Sequence, residues 1–212
     1  MPRIAQVARG AGRVIEEFTQ PFGAGDGVTG EHQFTLYATG LQLSLVVMPA
    51  SGRAGLPPQS VALYDADGRL ARPWLPDVAL ATGPTAREWA CLAWLALGDL
   101  VKYLDRGSTW EAMARLDEAR TQGWKLWAIA VGACYPAFGL TSVLDADCPS
   151  APPGIEASVA GLDDRSLRTA AIAMASVLDL VISRASAVVA FEPPAGLRSW
   201  ASGRLGITAA DR

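Results

Sequence analysis

The chain has 212 residues, half of them hydrophobic, with a formal net charge of −3 and an isoelectric point near 5.2. That length fits one large domain or two small ones, with apolar residues enough for a sizeable core. Acids and bases interspersed under a mildly acidic balance argue against a nucleic-acid-binding module. A single histidine, and three cysteines (Cys91, Cys134, Cys148) in no C-x-x-C pair, argue against a zinc site and a disulfide framework.

Arg3, Arg9, Arg13, Glu16 and Glu17 interrupt Met1–Phe18, so the segment does not read as a signal peptide. It predicts a short helix over Arg3–Phe18, weakened by Gly10 and Gly12. The glycine-rich Pro21–Gly30 reads as a connector, because it follows no clear strand and lacks a Gly-Lys-Ser/Thr ending. Gln33–Ala38 and Leu41–Met48 predict two strands around Thr39-Gly40, the length of a two-residue hairpin turn. Such a turn sets Leu36 against Leu43 and Phe34 against Leu45 on an apolar core face. It sets Thr35 against Ser44 and Tyr37 against Gln42 on a polar face suited to lining a cleft. Val61–Tyr64 predicts a short strand, and Asp65-Ala66-Asp67-Gly68 a tight turn into Arg69-Leu70. Asp65 and Asp67 do not form a calcium loop, because Pro76 stands where that loop needs its glutamate. Asp145 and Asp147, beside Cys148-Pro149, read as loop residues. Arg72–Pro84 is the expected linker between a β-containing part over 1–75 and a helical part over 84–192.

The helical part opens on P-T-A-R-E-W-A-C-L-A-W-L-A-L-G-D-L-V-K-Y-L-D-R-G-S-T-W-E-A, from Pro84 to Ala112. Thr85/Glu88 and Ser108/Glu111 have capping-box spacing, and Gly107 offers the left-handed residue that ends a helix. The pattern predicts a helical hairpin of about twenty and fifteen residues. Trp89, Leu92, Ala93, Ala96, Leu100, Tyr103 and Leu104 form one apolar stripe. Cys91, Leu95, Gly98 and Lys102 form a weaker second one, which makes this a central helix. Lys102 is one of only two lysines, with Lys125, among eighteen basic side chains. It reads either as a snorkelling residue or as a phosphate-contacting cation on a cleft wall. Trp124–Tyr135 predicts an apolar helix, separate from its predecessor or continuous with it, stopped at Pro136; the clustered tryptophans suit core packing or a ligand-stacking wall, core being the default. The last long helix opens near Asp163/Asp164, carries Leu167, Ala171, Met174, Leu178, Val181, Ala185 and Val188 on one stripe, and ends at Pro193-Pro194. Residues 193–212 are expected to form a flexible tail. The apolar runs Trp127–Cys134 and Ala170–Ser183 are too short, or interrupted by Asp179, to span a bilayer. The expected class is α+β, a small antiparallel sheet followed by an antiparallel helical bundle, in a cytoplasmic protein.

The order T-L-Y-A-T-G-L-Q-L-S-L-V-V-M-P, then L-Y-D-A-D-G-R-L, then a helical half with E-W, K-Y-L-D-R-G-S-T-W-E-A and Ala119-Arg120, carries a likeness. It resembles bacterial nucleotidyltransferases of the aminoglycoside adenylyltransferase type, in the DNA polymerase β-like superfamily, over residues 30–190. The resemblance implies an α/β half that binds nucleoside triphosphate and a helical bundle that closes the acceptor cleft. It also implies Mg2+ held by acidic side chains for in-line displacement. A Gly-Ser loop before an Asp-x-Asp strand, and a carboxylate on a later strand, belong to the same pattern.

The chain departs from that pattern at its acids. Residues 1–32 contain no Gly-Ser followed by Asp-x-Asp, and Ser44 stands where the later carboxylate is implied. A hydroxyl lacks the charge that a hard divalent cation demands. The resemblance maps the helical lysine on the triphosphate to Lys102, with Arg106 nearby as a second nucleotide-binding residue. Thr35, Ser44 and Asp99 are the expected cleft-lining residues. No catalytic or metal-ligating residue is expected in this chain, Mg2+ and nucleoside triphosphate being the cofactors of intact family members.

The expected function is therefore a truncated or degenerate nucleotidyltransferase-type protein that keeps the cleft. One alternative is an active transferase, completed by an upstream segment or partner chain, that moves a nucleotidyl group to a hydroxyl of a small molecule. The other is a non-catalytic helical binding or assembly protein. A small-molecule ligand and a homodimer or partner chain are open in each; a nucleic acid or a membrane is not expected. RNA-cleaving toxin chemistry is excluded because no histidine follows His32. Serine or cysteine hydrolase chemistry would rest on His32 alone.

Overall fold

A computed structural model of the chain describes residues 3–23, 29–50, 55–56, 60–73, 81–145 and 149–207. Contacts divide the chain into two compact units, Met1–Val78 and Ala79–Arg212. The first carries a three-stranded antiparallel sheet and the second a set of packed helices, so the fold is α+β.

The first unit opens with α1 (Arg3–Gly10), followed by β1 (Val14–Gly23), β2 (Thr29–Tyr37) and β3 (Gln42–Val47) in the order β1-β2-β3. A single helix to Phe18 was the expectation; the helix stops at Gly10, and Val14–Phe18 is strand. Two glycines disfavour helix continuation, and Val14, Ile15, Phe18 and Thr19 suit a pleated surface. The expected connector is partly sheet as well: Pro21 pairs with Glu31 and Gly23 with Thr29. Pro21 is tolerated because β1 is an edge strand. Residues 24–28 lie outside the described residues.

The hairpin β2–β3 exists, but its register is one residue away from the expectation. The Tyr37 N–H donates to Leu41 O and the Gly40 N–H to Tyr37 O, both at 2.9 Å. The loop is thus the three residues Ala38-Thr39-Gly40, with Gly40 left-handed at φ 82°, a common three-residue hairpin. Leu36 consequently pairs with Gln42, Thr35 with Leu43, Phe34 with Ser44 and Gln33 with Leu45. A one-residue shift sends every side chain of a strand to the other face. Gln33, Thr35 and Tyr37 are buried, and α1 packs on β2. The Tyr37 hydroxyl donates to the Ala8 carbonyl at 2.6 Å, and the Thr19 hydroxyl to Gln33 Oε1 at 2.9 Å. Val61–Tyr64 is not a strand, and Val61, Leu63 and Tyr64 are exposed. The turn at Asp65–Gly68 is present, leading into a 3-10 turn at Arg69–Ala71.

The second unit contains α2 (Gly83–Leu104), α3 (Thr109–Ala130), α4 (Leu140–Leu144), α5 (Asp164–Val188) and α6 (Ala195–Leu205), with 3-10 turns at Pro136–Phe138 and Ile155–Ser158. Helix α2 touches α3, α5 and α6 and fully buries Trp94, Leu97 and Leu100. Its cap is Thr82 rather than Thr85: Thr82 Oγ1 accepts the Thr85 N–H at 3.3 Å. Pro84 sits inside the first turn, where its missing N–H would have had no intrahelical partner. Ser108 occupies the cap position of α3 but its side chain makes no capping bond. Between the two helices, the Ser108 N–H donates to Tyr103 O and the Gly107 N–H to Leu104 O, the paired bonds of a Schellman ending.

Helix α3 runs unbroken to Ala130, so the second helix of the hairpin and the Trp124 segment are one element of 22 residues. Trp89, Trp94 and Trp127 are buried as expected, while Trp110 is 76% exposed. Helix α5, capped by Asp163 Oδ1 on the Ser166 N–H at 2.9 Å, is long and apolar enough to cross a membrane by length and composition. Its stripe of Leu167, Ala171, Met174, Leu178, Val181 and Ala185 is buried, and the helix packs on α2 and α3. The expected flexible tail is corrected over 195–205. Those residues form α6, whose Ala201 is fully buried and whose Arg198 makes a two-pronged pair with Asp179 at 2.5 and 2.6 Å.

Two predictions follow from this packing. A Cβ on Gly98 would fall inside the Trp200 ring, so Gly98→Ala should cost about 1 to 3 kcal/mol as overpacking. In a Trp200→Ala background most of that loss should vanish, a coupling that urea unfolding midpoints measure; equal losses in both backgrounds would contradict the contact. In the first unit, the Arg9 guanidinium hydrogen-bonds Glu17 and holds its carboxyl below the usual carboxylate range. A depressed folded-state value stabilises above the unfolded pKa of about 4.3, and that stabilisation is lost as pH falls through the folded value. Protection factors of the α1 amides, taken against the intrinsic exchange rate at each pH, should fall on acidification through that window, and Glu17→Gln should abolish that fall.

Candidate functional site

Of the expected site residues, Thr35 and Ser44 belong to the first unit and Asp99, Lys102 and Arg106 to the second. Thr35 and Ser44 stand on opposite faces of the sheet, a direct consequence of the hairpin register. Thr35 is buried, and its hydroxyl oxygen has no hydrogen-bond partner among the described residues. Ser44 is exposed on β3, and its Oγ is hydrogen-bonded to His32 Nε2. The His32 ring centroid lies 3.9 Å from that of Phe34, which stacks on Phe18 at 4.6 Å. His32 therefore lies within a strand, and the open face of the sheet carries an aromatic row ending in a Ser–His contact. The sequence signal for this was available. His32, Phe34 and Leu36 alternate with Gln33 and Thr35, and extending the strand two residues upstream puts His32 on the Phe34 face.

Lys102 leaves the buried part of α2 and ends on Asp99 Oδ1 at 3.1 Å, with both side chains about a third exposed. Its ammonium also lies 4.7 Å from the Tyr103 ring centroid. Arg106 is exposed in the turn that follows the helix. Between them, Asp105 accepts from Arg168 of α5 at 3.1 Å and stands 3.9 Å from Arg204 of α6. Arg168 bonds Asp164 at 2.9 Å as well. The hydrogen bond that Arg168 donates to Asp164, with a second donated to Asp105, raises its guanidinium further above its already high value. The C-terminal end of α2 thus joins three helices through charge. Asp105 had been legible only as a helix-end residue, because Arg168 is 63 positions away.

The chemistry open to these groups is limited. Ser44 supplies a hydroxyl and no formal charge, and Lys102 is neutralised by Asp99 until an anion displaces it. Asp65 Oδ2 accepts the Leu70 N–H at 2.9 Å and Asp67 binds Arg69 Nε at 2.7 Å, so both acids are spent on their turn. Among the described residues, no three His, Cys, Asp or Glu side chains form a group able to hold a metal ion. Asp147 and Cys148 lie outside the described residues. Comparison with protein-family models, with curated proteins and with solved structures finds no match.

The two acids on α2 should behave differently when removed. Asp99→Asn breaks one partly exposed pair and should change stability by about 0.5 kcal/mol or less. Asp105→Ala strips a shared acceptor from cations on two other helices and, although Asp105 is exposed, should cost more, about 0.5 to 1 kcal/mol. Urea midpoints of the two variants test the ranking, and a reversed order would refute the assignment of the network to Asp105.

Proposed function

We propose that this chain is a nucleotidyltransferase-type protein without transferase chemistry of its own. Its helical unit keeps a nucleotide-binding surface, and the acids that would hold magnesium have been lost. Ser44 carries the reading. It occupies the β3 position where the resemblance implies a carboxylate, and it spends its hydroxyl on His32. In-line nucleotidyl transfer relies on divalent ions to neutralise the triphosphate and to activate the acceptor hydroxyl. A neutral hydroxyl cannot replace an acid in that role. The order of a sheet unit and then a helical unit also supports the reading, as does the sequence K-Y-L-D-R-G on α2 and its turn. On this proposal Lys102 exchanges Asp99 for a phosphate oxygen and Arg106 adds a second charge. Magnesium then arrives with the nucleotide rather than on the protein.

Calorimetric titration with Mg-ATP, and incubation with α-labelled ATP and hydroxyl-bearing acceptors, test this together. The wild-type chain should bind Mg-ATP, Lys102→Ala should bind roughly tenfold more weakly, and no label should reach any acceptor. Label transferred by this chain alone would overturn the proposal. Identical binding heats for the wild type and Lys102→Ala would remove Lys102 from the site.

A further inference from the structure

On the helical unit, α3 and the Pro136–Leu144 segment enclose an open groove of about 360 Å³, lined by Arg120, Thr121, Trp124, Lys125, Phe138 and Gly139. None of these residues takes part in the Asp99–Lys102 pair or the Asp105 network. From their chemistry we infer that the groove binds a small planar ring carrying one anionic group, a phosphate or a carboxylate.

Charge is the first support. Lys125 is the second of the chain's two lysines, and its ammonium sits 5.4 Å from the Trp89 ring centroid. It has no carboxylate partner among the described residues. Arg120 pairs with Asp117, which also lines the groove, and donates to the Ser158 carbonyl at 2.8 Å, so its guanidinium is held in place. The groove therefore has two cations against one carboxylate, Asp117, in a chain whose net charge is −3. A lysine with only a ring for a partner can accept an anion without first losing an ion pair.

Shape is the second support. Trp124 is half-buried in the floor, and Phe138 is 68% exposed at the rim. Phe138 is not on a loose loop. It lies in a 3-10 turn, makes an edge contact with Tyr135 at 5.8 Å between centroids, and the turn is tied by the Ser142 hydroxyl on the Tyr135 carbonyl at 2.5 Å. Gly139, at φ 54°, brings the turn's backbone close to α3; a Cβ there would meet Trp124 Cβ at 3.3 Å. Two aromatic side chains and a cation fixed by packing suit a flat, charged ligand. The volume is near the lower end for small-molecule sites, which fits a mononucleotide or an aryl acid.

The test is calorimetry on the full chain with three probes: AMP, indole-3-acetate and uncharged adenosine. One or both anions should bind, and adenosine should bind at least about tenfold more weakly. AMP alone binding points to phosphate, indole-3-acetate alone to carboxylate. Lys125→Met and Phe138→Ala should each weaken the anion about tenfold, and Arg165→Ala, at an exposed position on α5 outside the groove, should leave it unchanged. Phe138→Ala removes an exposed side chain, so it remains informative if Lys125→Met disturbs the fold. The inference is overturned if neither anion binds, if adenosine binds equally well, or if Phe138→Ala binds like the wild type. It is also overturned if Lys102→Ala, rather than Lys125→Met, abolishes AMP binding, which would place the nucleotide on the Lys102 cluster.

Discussion

Helix α2 is apolar on more than one side, and burying such a helix requires neighbours on each of them. Helix α3 follows after a short Schellman turn, whereas α5 and α6 arrive from 60 to 120 positions later in the chain to cover what remains. The close seating of Trp200 over Gly98 belongs to this constraint, and so does the burial of Trp94, Leu97 and Leu100. Beyond Glu88, the charged groups of α2 and of the turn after it collect at the C-terminal end, as Asp99, Lys102, Asp105 and Arg106. The charged junction of α2 with α5 and α6 therefore lies at the C-terminal end of α2, where the apolar stripes leave room for it.

In the sheet the equivalent constraint is parity. A strand has two faces, and the loop Ala38-Thr39-Gly40 decides which residues share one. With this loop the face bearing Gln33, Thr35 and Tyr37 turns inward under α1, and the face with His32, Phe34 and Ser44 turns outward. Ser44 is thereby accessible, beside an imidazole and an aromatic row, while Thr35 is removed from any ligand-facing role. The same geometry gives the proposed loss of metal chemistry its physical content. An acid at position 44 would have stood open to a cation, and the serine there is instead a neutral partner of His32.

What the sequence made legible was what is local. Helices α2, α3 and α5 followed from three-and-four apolar spacing and from end signals, and Gly107 does terminate α2 as its type suggests. Elements fixed by distant partners were not legible. Val14–Gly23 is a strand because β2 is beside it, and its glutamates obscured the alternation. Helix α6 is short and weakly amphipathic, and it is ordered by Trp200, Ala201 and the Asp179–Arg198 pair across the bundle. Val61–Tyr64 has strand-forming residues but no strand to pair with, and it remains exposed. At the candidate site, Lys102 stood out by its rarity. The Asp105 network and the Arg120–Lys125 groove depend on contacts from Ser158, Phe138, Arg168 and Arg204, which no local pattern announces.

The central proposal is that the protein fixes no divalent ion of its own, as the described residues, which form no group of three metal-ligating side chains, suggest. Manganese stands in for magnesium in oxygen-ligand sites and is paramagnetic, so an electron paramagnetic resonance titration of the protein with Mn2+, without nucleotide, addresses the claim directly. The free-ion signal should fall no faster than with the Ser44→Ala protein, as expected of scattered surface carboxylates. A stoichiometric loss of that signal, showing one or two tightly held ions per chain, would contradict the account.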